Sequence, residues 1–94
     1  MRQTADFPTA RPGPLLGTMA KHFAHKITVE QDDAGAVMHF PAGLVTVRIG
    51  EDALHLTIES ADEDGFARVR EVLIGHMLRF AHREAPEAPV WREA

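Results

Sequence analysis

Apolar and polar positions divide the chain into a helix, four strands and a second helix. Leu15, Leu16, Met19, Ala20 and Phe23 recur at helical spacing and form one apolar stripe. Pro14 suits the first turn of that helix, where a missing N–H costs nothing. Strand-like runs follow at 27–31, 36–40, 44–49 and 54–60, separated by connectors rich in Asp, Gly and Pro. Connectors this short permit only antiparallel hairpins. Alternation then assigns the two faces. Ile27, Val29, Met38, Phe40, Val45, Val47, Ile49, Leu54, Leu56 and Ile58 point one way. Thr28, Glu30, Val37, His39, Leu44, Thr46, Arg48, His55, Thr57 and Glu59 point the other. The simplest register sets Thr28, His39, Leu44 and Glu59 in one cross-strand row, with Arg48 opposite His55.

Asp62 is placed to cap the second helix, and Glu63 and Asp64 suit the positive end of its dipole. Phe66, Val69, Leu73, Met77 and Phe80 supply its apolar stripe, and Pro86 and Pro89 end it. Val90 and Trp91 add a short edge strand or cap the core. The first 13 residues are polar and broken by Pro8, Pro12 and Gly13, which predicts a mobile or extended arm. The expected fold is therefore α+β in two layers: helix, four-stranded antiparallel β-meander, helix, with both helices on one face.

Composition narrows the functional classes. Ninety-four residues make a single domain, 1–94, able to bury about 60–65% of its unfolded surface. A net charge of −4 argues against nonspecific nucleic-acid binding, which needs surplus Lys and Arg. With no cysteine, thiolate nucleophiles, disulfides and Cys-based metal sites are excluded. The N-terminus lacks the apolar core of a secretory signal, and no apolar run approaches the roughly 18 residues of a membrane span. A cytoplasmic location is the expectation.

Titratable chemistry concentrates at Lys21-His22-Phe23-Ala24-His25-Lys26. On a helix of period 3.6, His22 lies about 90° from the centre of the apolar stripe and His25 about 150°. His76 lies within about 50° of the second stripe's centre, so it is expected to be partly buried. If the helices lie side by side, His22, His25 and His76 could supply imidazoles to one divalent metal. Lys21 and Lys26 disfavour a bound cation and favour an anion. His39 and Glu59, in one row, make a second pairing with general-base character on a face that ordinary exposed sheets also show. Val37 and Leu44 on that face would suit a homodimer surface.

The run at 21–26, the turn Phe40-Pro41-Ala42-Gly43, the segment His76-Met77-Leu78-Arg79-Phe80 and Trp91 together resemble a small bacterial family known as domain of unknown function 2218. The likeness runs from about Leu15 to Trp91. Ala20 stands where many members of that family carry cysteine. The resemblance implies a small binding or accessory domain in iron or siderophore handling. It also implies a partner: a flavin-dependent siderophore-interacting reductase or a small anionic ligand. An aldolase label attached to some relatives is set aside, because that chemistry usually occupies a barrel of about 250 residues. The contact surface expected on this reading is Lys21, His22, His25 and Lys26, joined by His76 and Arg79. A metal-dependent enzyme built on the three histidines and a structural homodimerisation module are the alternatives.

Overall fold

The computed structural model describes all residues, 1–94. The order along the chain is β1 (Arg2–Pro8), α1 (Pro12–Phe23), β2 (Thr28–Asp32), β3 (Gly35–Phe40), β4 (Gly43–Ile49), β5 (Ala53–Glu59), α2 (Glu63–Phe80), a 3-10 turn (His82–Glu84) and β6 (Arg92–Glu93). The strands form one antiparallel sheet in the order β2-β3-β4-β5-β1-β6. No helix is long and apolar enough to cross a membrane.

The central meander follows from alternation and turn chemistry. Thr28, His39, Leu44 and Glu59 do form one row, and Arg48 does face His55. Asp32 closes the β2–β3 turn by accepting from the backbone N–H groups of Ala34 and Gly35 at 2.8 and 2.9 Å. Gly43 begins β4 after the Phe-Pro-x-Gly turn because a Cβ there would lie 2.7 Å from the carbonyl oxygen of Glu59.

The sheet has six strands rather than four. Residues 2–8 are extended, but they are not a free arm: they pair with β5 from Arg2 opposite Glu59 to Pro8 opposite Ala53. The physical reason lies in the short alternation before Pro8, which turns Ala5 and Phe7 inward; both are fully buried. The partner strand lies some fifty residues away, so no hairpin signal marks the pairing. At the other end of the chain, Arg92 and Glu93 pair with Thr4 and Gln3 as the outermost strand. Trp91 packs edge-on against Phe66, so this segment both extends the sheet and covers the core.

Both helices lay their stripes on the inward face. Leu15, Leu16, Met19, Ala20 and Phe23 of α1 join Phe66, Val69, Leu73, Ile74 and Met77 of α2. They meet Met38, Val45, Val47, Leu54, Leu56 and Ile58 from the sheet. The start of α1 includes Pro12 as well as Pro14, one of few sites where proline fits a helix. Asp62 caps α2, its carboxylate accepting from the Gly65 N–H at 2.8 Å.

Because Phe7 is fully buried in this core, Phe7→Ala is expected to lower the unfolding free energy by about 3–5 kcal/mol. Urea denaturation measures this directly, and a loss below about 1 kcal/mol would mean that β1 is peripheral to the fold.

Candidate functional site

The side chains with the most chemistry meet where α1 ends beside the last turns of α2. Burial of Met19, Ala20 and Phe23 fixes the rotation of α1 and leaves His22 at the edge of its apolar stripe. Burial of Leu73 and Met77 likewise turns His76 toward α1. The two imidazoles pack against each other, with ring centroids 4.7 Å apart and planes tilted by 41°. Phe23 and Phe80 stand around them, at 5.1 and 5.6 Å from His22, and Phe40 closes the cluster against Phe23 at 5.2 Å.

Hydrogen bonding defines the state of one ring. Nδ1 of His76 lies 2.7 Å from the Val72 carbonyl oxygen. A carbonyl can only accept, so Nδ1 donates, and in the neutral ring Nε2 keeps a lone pair. The Nε2 atom of His22 is buried and has no hydrogen-bond partner. Burial is the first cause of its lowered pKa, followed by the positive charge available at His76, Lys26, Arg79 and His25. His22 is therefore held neutral below the pH at which a free histidine becomes charged.

The remaining site residues lie at the rim. Lys21, His25, Lys26 and Arg79 are exposed. The chain's ion pairs are Arg2–Glu59, His39–Glu30, His55–Asp6 and Arg92–Asp6, so Lys21, Lys26 and Arg79 have no carboxylate partner. The structure thus sets His25, Lys26 and Arg79 near the His22–His76 pair, with Lys21 the residue before His22.

The histidines do not form a three-ligand metal set. No group of three or more His, Asp and Glu side chains in the chain is arranged to hold a metal ion. Helix α1 ends at Phe23, and His25 lies in the following turn, where its backbone N–H reaches the His22 carbonyl at 3.4 Å. That i→i+3 bond carries the chain from His22 to His25 just past the end of the helix, and His22 and His76 are brought together. The groove of about 360 Å³ beside Phe80 is lined by Arg11, Leu15, Thr18 and Arg83 and by none of these histidines and lysines.

On the outer face of the sheet, His39 bonds Glu30 at 2.6 Å rather than reaching along its row to Glu59. Glu59 sits 3.8 Å from Arg2 instead. A further pair was not anticipated from the sequence: His55 Nδ1 meets Asp6 at 2.7 Å, with Arg92 3.5 Å from the same carboxylate. The hydrogen bond from His55 is the first cause of Asp6's lowered pKa, and Arg92 adds to it. Alternation of Thr4 and Asp6 with Ala5 and Phe7 was the available signal. Such exposed cross-strand pairs contribute only about 0.2–1 kcal/mol each.

These shifts set the sign of the pH response. His22 has a folded pKa below that of the unfolded chain, so the unfolded state takes up its proton first and stability falls as pH drops below about 6.5. Asp6 and Glu84, also lowered, contribute stability above the ordinary carboxylate range that is lost on further acidification. His22→Leu should raise the thermal midpoint, because it removes an unpartnered buried nitrogen, and should flatten the loss between pH 7 and 5.5. Melting curves across that range provide the check; an unchanged pH slope in the variant would assign the loss to other groups.

Comparison with known proteins gives the chain its family. The NMR structure of PA4090 from Pseudomonas aeruginosa is similar, with a TM-score of 0.80 and 25% sequence identity. The match covers 99% of this chain and 98% of that chain. No curated protein matches. A family model described as "Uncharacterized protein conserved in bacteria (DUF2218)" matches residues 4–92, and the chain belongs to that family.

Proposed function

We propose that this chain is a small binding domain that docks an acidic partner surface through the positive patch where α1 ends. One observation carries the reading. His22 packs on His76, and the exposed Lys26 and Arg79, which form no ion pair, are near enough to act on it, in a chain of net charge −4. Concentrating unpaired cations in one place on an acidic protein favours an anionic partner and steers its approach. Exposure of Lys21, Lys26 and Arg79 there favours a partner's surface over an enclosed small molecule. In this reading His25, Lys26 and Arg79 make contact, while His22 and His76 form the rigid platform beneath them.

The biological setting we propose is iron or siderophore handling, with a flavin-dependent siderophore-interacting reductase as the partner. This rests on the resemblance carried by the run at 21–26. Titrating the domain into such a purified reductase tests it. Affinity should weaken as salt rises, and Lys26→Glu combined with Arg79→Glu should lower it at least tenfold, by roughly 1.4 kcal/mol or more. The same double variant should keep its unfolding free energy within about 1 kcal/mol, since both side chains are exposed. Equal affinity of the variant, or no salt dependence, would contradict the proposal.

A further inference from the structure

A second set of unpaired cations lies on the other side of Phe80. Between the start of α1 and the end of α2 runs a groove of about 360 Å³, within the range of small-molecule sites. Leu15 and Phe80 give it an apolar wall, Thr18 lies along it, and Arg11, His82 and Arg83 stand at its polar side. Neither Arg11 nor Arg83 belongs to any ion pair of the chain. The ring of Phe80 is held by His22 and His76, 5.6 and 6.0 Å away, so the apolar wall is preformed.

One carboxylate, Glu84, also borders the groove, and the charge of Arg11 acts on it there. It accepts from the Ala10 N–H and from the Thr9 hydroxyl, both at 2.7 Å. These two bonds aim it at the turn between β1 and α1. The first turn of α1 contains no acidic residue of its own, and the carboxylate of Glu84, held on the Ala10 N–H, is the negative charge at the positive end of its dipole. An apolar wall and two arginines that form no ion pair therefore line the same groove.

We propose that this groove binds a small organic carboxylate with an apolar body, its carboxylate pairing with Arg11 and Arg83 and its apolar part lying along Leu15 and Phe80. The planar guanidinium fork matches a carboxylate in two parallel hydrogen bonds, which a hydroxyl or an amine cannot replace. The site is independent of the patch at the end of α1, from which Phe80 separates it.

Octanoate serves as the probe, with acetate, octanol and octylammonium as controls, each titrated into the full chain and followed by backbone amide NMR shifts. Octanoate should move the amides of Arg11, Thr18, Ala81 and Arg83 in a saturable way. Acetate and octanol should bind at least about tenfold more weakly, each lacking one half of the recognition. Arg11→Gln and Arg83→Gln should each weaken octanoate at least about fivefold. Thr18→Trp should fill the groove and abolish binding, with a well-dispersed spectrum showing that the fold is kept. Octylammonium moving the same amides with equal affinity would overturn the proposal. So would octanoate shifts scattered away from the groove, or full binding by the Thr18→Trp chain.

Discussion

One-sided burial is the constraint on which the structure depends. The sheet has a single apolar face, and both helices must press their stripes onto it. That requirement fixes the rotation of each helix about its own axis. It also forces the end of α1 against the last turns of α2, since the two helices share one sheet surface. The contact between His22 and His76 is a consequence of this arrangement rather than a separate design. Rotation of either helix by one residue, about 100°, would bury charged groups and separate the rings.

The same constraint explains why chemistry collects at helix ends and edges. Positions at the centre of each stripe are consumed by packing: Leu16, Met19, Leu73 and Met77 have essentially no exposure. Positions at the margin can be half buried, and an imidazole tolerates that better than a fully ionised side chain. His22 and His76 occupy such margins, and Lys21, His25, Lys26 and Arg79 sit just beyond them. The result is an aromatic platform under a rim that carries Lys21, Lys26 and Arg79. Phe80 serves two sides at once, bracing the imidazoles and forming the wall of the groove beside Arg11 and Arg83.

Much of this was legible in the sequence where a signal is local. The meander register followed from alternation and short turns, down to the row of Thr28, His39, Leu44 and Glu59. The helix stripes and the Asp62 cap followed from spacing and residue type. What escaped was non-local. Strand β1 carries only two inward apolar residues, Ala5 and Phe7, and its partner β5 is remote in the chain, so the arm and the Asp6–His55 pair were hidden together. His22 and His76 meet because both helices turn their stripes onto one sheet face, the condition on which a contact between them depended.

Within this account, His22 is a neutral ring packed on His76, poised beneath a positive surface. Proton NMR titration of the six histidines, with nuclear Overhauser contacts between ring protons, tests that statement most directly. The prediction is a His22 midpoint below the ordinary histidine value of about 6.5, with contacts linking His22 to the rings of His76 and Phe80. A His22 midpoint at or above that value, or no contact between the two imidazoles, would contradict it.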